Sequence, residues 1–245
     1  MPDNAPIPFR EAMRQLRQRG LMPTDMTSRE IADLGAAVTE RAFFSARQLN
    51  EFILGEMKAR VERIVNPTTG VNADGEAVTV GLDYATARLE MMEMYKLIGY
   101  GAPLDEQGTI KDHASEQRIN LVLKTNVEQA QGYGQWRQGA DESNVELWPA
   151  QELFRAEARK EPRDWLTRWI GAGGQLVDGA RMIALKNDPI WEAISAWGLP
   201  YPPFDYGSGM WTQDVARDEA IELGLMTEES DVQVPRRGFE QEEAA

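Results

Sequence analysis

The chain of 245 residues has no cysteine. Disulfides, thiolate nucleophiles and cysteine-ligated zinc or iron-sulfur centres are thereby excluded. It has one histidine, His113, so no zinc site can draw two imidazoles from a single chain and a serine triad has one candidate base. Positive charge is scarce: 26 Lys and Arg stand against 40 Asp and Glu, a net charge of −14. That sign repels a polyphosphate over most of the surface. No apolar run approaches the roughly 18 residues of a membrane-crossing helix, and the N-terminal stretch is polar and amphipathic without a secretory apolar segment. No membrane segment and a cytoplasmic site of synthesis are expected. What is present, 42% apolar and 27% charged residues, is the composition of a soluble folded chain. Its length suits one large domain or two modest ones.

Pro8 suits a first helical position and Gly20 a stop, which predicts an amphipathic helix over residues 7–20. Phe9, Met13 and Leu16 form one stripe of it and Arg10, Arg14 and Arg17 another. Such a helix docks on a partner, reaches a phosphate, or lies on its own domain. Thr27 and Glu30 form a capping box, after which Ile31, Leu34, Val38, Ala42, Ser45, Leu49 and Phe52 recur at steps of three and four. The spacing predicts one helix of about ten turns, running to Val65 and stopped by Asn66-Pro67. Residues 68–82 read as a loop with a short hairpin. Asp83 caps a helix that carries Ala87, Met91, Met94, Tyr95 and Ile98 inward and ends at Gly99. From Asp112 a third long helix places Ile119, Val122, Asn126, Ala130 and Tyr133 on one stripe. A buried amide needs partners, so Asn126 is read as a polar anchor to whatever packs on that helix, and Asn126→Leu is expected to cost about 1–3 kcal/mol. His113 with Asp112 and Ser115 reads as a helix start and not as a triad.

All seven tryptophans lie between positions 136 and 211, which puts the densest core in the C-terminal half. Residues 151–158 alternate, with Phe154, Ala156 and Ala158 on one side, and Arg181 to Leu185 form a second short run, so a small sheet is expected. Gly171, Gly173 and Gly174 read as a turn, because a phosphate cradle would need a Lys-Ser/Thr ending that is missing. Asp188-Pro189 opens a helix, residues 198–210 read as an ordered aromatic loop, and Thr212 is expected to cap the last helix, which ends at Gly224-Leu225. Residues 226–245 carry six acids and two arginines and read as a disordered or partner-dependent tail. The fold class is mainly α with a small β element (α+β), with long N-terminal helices before a compact Trp-rich domain. The expected divisions are an N-terminal arm over 1–22, a helical domain over 23–110, a compact domain over 111–225 and an acidic flexible tail over 226–245.

Three segments carry a family resemblance. Leu123-Lys-Thr-Asn-Val-Glu-Gln-Ala-Gln-Gly-Tyr-Gly-Gln-Trp136 resembles the Thr-Asn, Ala, Gly helix of the phage minor head proteins, the head-morphogenesis family similar to protein F of phage Mu. Asn187-Asp-Pro-Ile-Trp191 resembles that family's Asp-Pro-Phe-Trp element, and Pro202-Pro-Phe-Asp-Tyr-Gly-Ser-Gly209 its Pro-Pro-Asn-Gly loop. The likeness covers about residues 111–225. It implies a virion structural protein, a minor head or neck component at the portal vertex acting in head morphogenesis and capsid assembly, with the portal and other virion proteins as partners and contact with packaged DNA. It also implies assembly in the cytoplasm of a bacteriophage's host and residence in the virion. Thr125, Asn126, Asp188, Trp191, Pro202 and Pro203 are the positions carried over, as fold-defining or interaction contacts. The family's histidine after Arg-Pro and its Cys-Arg-Cys are missing here, where Pro162-Arg163 is followed by Asp164-Trp165, so no metal is expected.

Two other readings compete. A carboxylate-dependent hydrolase would draw on pairs such as Asp141-Glu142 or Asp188-Glu192. A DNA-contacting accessory protein of the packaging or ejection machinery would use Arg10, Arg14, Arg17 and Arg19. No catalytic residue, cofactor or metal is assigned.

Overall fold

The computed structural model describes residues 10–71 and 74–234. It is about 44% helical with 11% strand, a mainly α fold with a small β element. No helix among the described residues is long and apolar enough to cross a membrane. The described chain divides into two compact units, one of residues up to Ile31 with Arg41–Gln131, the other of Ala32–Glu40 with the residues from Gly132 on. The division between Gln131 and Gly132 falls inside a long helix.

The first unit opens with α1 (Arg10–Gln18) and β1 (Gly20–Leu21). Pro8 and Phe9 lie outside the described residues, but the rest of the amphipathic pattern holds: Ala12, Met13 and Leu16 are buried while Arg10, Arg14 and Arg17 are exposed. Thr27 then starts α2 (Ser28–Asp33) with a reciprocal box, its Oγ1 accepting from Glu30 N at 3.3 Å while Glu30 Oε2 accepts from Thr27 N at 2.8 Å.

The ten-turn helix is not formed. Gly35, at φ +79° and ψ 172°, breaks it into α2 and the four-residue α3 (Ala36–Thr39) of the second unit, and β2 (Ala42–Phe43) follows. β2 pairs in parallel with β1, Gly20 opposite Ala42. Buried Arg19 locks that junction, its Nε and Nη2 donating to Ala42 O at 2.9 and 2.6 Å with the guanidinium over the Phe43 ring. Only the last stretch of the periodic run is one helix, α4 (Glu51–Val65), capped by Asn50 and ended at Asn66 before Pro67 as expected. Leu49 and Phe52, which the long-helix pattern placed on the inner stripe, are exposed.

β3 (Thr68–Val71) and β4 (Ala77–Val80) form the expected hairpin. α5 (Tyr84–Leu97) starts where Asp83 accepts from Thr86 N at 2.9 Å. α6 (Glu116–Gly139) begins four residues later than expected, because Ser115 Oγ accepts from Arg118 N. The core of this unit joins α1, α4, α5 and the first half of α6 through Leu16, Leu54, Met57, Met91 and Leu123.

In the second unit α7 (Glu142–Leu147) leads to β5 (Ala150–Arg155), α8 (Trp165–Gly171), β6 (Met182–Leu185), α9 (Ile190–Ala193), β7 (Met210–Val215) and α10 (Arg217–Glu222). The strands make one antiparallel sheet in the order β6-β5-β7, with Ala150 opposite both Leu185 and Val215. Residues directly opposite share a face. One face carries Leu153 and Ala184 into a cluster with Trp165, Trp169, Trp191 and Phe204, and the other sends Ala150, Ile183 and Val215 against Val145, Ala220 and Met226.

Three expectations are corrected here. Phe154, Ala156 and Ala158 are not the inner row, since Ala156 and Ala158 lie beyond the strand and are exposed. Thr212 caps nothing: it sits in β7, opposite Leu153, and α10 begins after Ala216. Residues 226–234 are not a free tail, because Met226 and Val232 are buried against α10 and the sheet residues; residues 235–245 lie outside the described part. α10 itself ends as expected, with Leu225 N donating to Ala220 O and Gly224 N to Ile221 O.

Candidate functional site

The motif of α6 spans both units. Thr125 and Asn126 are buried in the first. Asn126 Nδ2 donates to Val122 O at 2.9 Å, one turn back in its own helix. The anchor reading is corrected accordingly: a mid-helix amide satisfies itself locally by bonding back along the helix.

The C-terminal half of the motif lies in the second unit and meets the Pro-Pro loop there. Tyr133 stands edge-on to Tyr201 with ring centroids 5.6 Å apart, and Trp136 lies 5.8 Å from the same ring. Gly132 faces Pro202 so closely that an added Cβ would overlap its carbonyl oxygen and lie 3.0 Å from its carbonyl carbon. Pro202 and Pro203 are buried and joined by a cis peptide bond. Ser208 Oγ donates to Pro203 O, and Ala196 N donates to Phe204 O at 2.7 Å. Trp191 is fully buried, its Nε1 donating to Leu185 O at 2.9 Å and its ring 5.3 Å from Trp169 and 6.2 Å from Phe204. Asp188 is exposed and accepts from Ile190 N at 2.8 Å, which starts the short α9. In this unit each carried-over side chain is occupied by packing or by backbone hydrogen bonds.

The ionisable groups give the same picture. Asp112 accepts from Gly108 N and Ala114 N, and Ser115 Oγ donates to Thr109 O, so neither faces His113 as a triad partner. Burial holds the His113 imidazole below its ordinary pKa, with the Arg118 cation adding to that and Asp112 opposing it. Asp141 is the cap of α7; its hydrogen bonds from the Ser143 side chain and backbone lower its pKa. Glu152 is held low by the Arg181 guanidinium, which bonds it at 3.2 and 2.7 Å and also reaches Glu219 at 2.8 Å. A cleft of about 1050 Å³ in the second unit runs past Asp141, Glu142, Glu146 and Asp218, with Arg217 donating from Nη2 to the carbonyls of Glu228 and Ser230. Among the described residues no three His, Cys, Asp or Glu side chains are grouped to hold a metal ion.

One polar group escaped sequence reading altogether. Lys186 is buried, its Nζ 2.8 Å from Asp214 Oδ1 and donating to Gly139 O at 3.1 Å. Gln151 and Thr212, also buried, line the same pocket as Lys186 and Asp214. These four come from three strands or strand ends distant in the chain, and no spacing in the sequence links them. Compared with protein-family models, with curated proteins and with solved structures, the chain has no match.

Proposed function

We propose that the chain is a virion structural protein, a minor head or neck component that acts in phage head morphogenesis at the portal vertex. The resemblance of three short segments motivates this role. One observation supports it above the others: in the second unit Gly132 of one segment meets Pro202 of another, whose neighbour Tyr201 packs on Tyr133 and Trp136 of the first, while Trp191 of the third packs on Phe204. Rigid aromatic packing suits a part whose task is to hold shape and grip neighbours. Such a role needs no catalytic step. Its partners would be the portal and other virion proteins, with the exposed Arg10, Arg14 and Arg17 face of α1 offered to a neighbour or to packaged DNA.

The test is co-production with the products of the neighbouring reading frames, followed by isolation of any ring-shaped portal assembly. The chain is expected to co-purify with the ring, and virions are expected to contain it in few copies. A folded chain that never associates with the ring, or that loses its biological role through one carboxylate substitution with assembly intact, overturns the proposal. Arg10, Arg14 and Arg17→Ala together discriminate the use of α1. Loss of a salt-sensitive DNA complex would assign it to DNA, whereas loss of ring association alone would assign it to protein docking.

A further inference from the structure

The sheet face that carries Leu153 into the tryptophan cluster turns polar toward its other end. Residues two apart on a strand, and residues directly opposite, share a face. Gln151 lies two before Leu153 and opposite Asp214, and Thr212 lies opposite Leu153. Lys186, just past β6, joins them through its 2.8 Å contact with Asp214. With Asn144, Trp136 and Trp148 they wall a pocket of about 270 Å³.

The pocket combines three features. Its charge is balanced, because the Lys186 ammonium is matched by the Asp214 carboxylate. A carboxylate or phosphate entering it would meet Asp214, and a cation would meet Lys186. It is rich in unmet hydrogen-bonding capacity. Gln151 and Thr212 are each 7% exposed, and neither side chain has a hydrogen-bond partner among the described residues. Lys186 uses two of its three N–H donors, and Asn144 Oδ1 stays open while its Nδ2 donates to Gln138 O. Finally, Trp136 and Trp148 add broad apolar surface at the rim.

A neutral ligand whose groups both donate and accept, and which has an apolar C–H surface as well, matches all three. We propose that this pocket binds a single sugar ring. Its volume is just below the roughly 300–1,000 Å³ of pockets for drug-sized ligands, which favours one ring over an oligomer. In this assignment Gln151 and Thr212 exchange hydrogen bonds with adjacent hydroxyls, Lys186 donates its third N–H to a ring substituent, and a tryptophan covers the C–H surface. The assignment is independent of the virion role and holds whether or not that role does.

The test is titration of the full chain with D-glucose, D-galactose, D-mannose and N-acetyl-D-glucosamine, read by tryptophan fluorescence and by ligand-observed NMR. At least one is expected to bind saturably with a midpoint of about 1–10 mM. Gln151→Leu and Thr212→Val are each expected to weaken it at least about tenfold. Trp148→Ala, a change at a partly exposed side chain, is expected to weaken it without altering the unfolding midpoint, and it serves where the buried variants do not fold. No saturation by any of the four sugars up to about 100 mM, or binding unchanged in the folded variants, overturns the proposal. So does equal binding of acetate or acetamide, which would assign the pocket to a carboxylate or amide. Sugar binding seen only after removal of residues 235–245 would assign the pocket to the chain's own end and overturn it as well.

Discussion

At the scale of single residues, environment decides what each group does. His113 is half-buried, its Nδ1 has no partner among the described residues, and its backbone N–H donates to the Tyr100 hydroxyl at 3.2 Å. Because burial lowers the folded pKa, the unfolded chain takes up the proton first as pH falls below about 6.5. Stability should therefore decline from about pH 6.5 downward and level off below the folded pKa. As the one histidine, it gives one imidazole Cε1–H resonance, whose titration midpoint is expected below about 6.5. His113→Gln should remove that part of the pH dependence, and a midpoint at or above the ordinary value would show the ring to be solvated. Gly132 offers a test with opposite signs. In a helix interior Ala is better than Gly by about 1 kcal/mol, but the overlap with the Pro202 carbonyl group predicts that Gly132→Ala destabilises the second unit by about 1–3 kcal/mol. A stabilised variant in chemical unfolding would show that the helix and the loop do not approach this closely. Asn126→Leu should cost less than about 1 kcal/mol, since its one bond returns to a carbonyl of its own helix and its loss orphans no partner.

At the scale of elements, caps and stops were legible and continuity was not. Thr27, Asp83, Asn66-Pro67 and Gly224 carry local chemistry, and the helix ends they mark stand where expected. The run from Ile31 to Phe52 keeps a helical period yet folds as two short helices, a strand and the start of α4, because its apolar residues serve different clusters: Ile31 and Phe44 pack together, Ala36 joins the group of Trp197 and Tyr201, and Phe43 enters the core of α1 and α4. Gly35 permits the break, with φ and ψ in a region almost closed to other residues. Gly35→Ala is thus expected to cost about 1–3 kcal/mol, whereas in a continuous helix it would gain about 1 kcal/mol. Thermal unfolding of the variant separates the two. β7 was missed because Met210 to Val215 follows a loop without alternation and takes its strand form from pairing with β5.

At the scale of the whole molecule, the acidic surplus argues against general nucleic-acid binding, and the two units each hold their own core. Residues 226–234 belong to the second of these, so Met226→Ala should lower its stability by about 2 kcal/mol or more. A change under about 0.5 kcal/mol would show that the segment is loosely held. Composition, absent residue types, helix caps and the mainly α class with a small sheet are properties of neighbours in the chain, and the amino-acid sequence by itself determined them. The break at Gly35, the division inside α6 and the meeting of Gly132 with Pro202 were decided only by tertiary packing. So was the gathering of Gln151, Lys186, Thr212 and Asp214 on one sheet face. The physical reason is range: capping and periodicity act within a few residues, whereas burial and strand register join residues whose separation along the chain leaves no local trace.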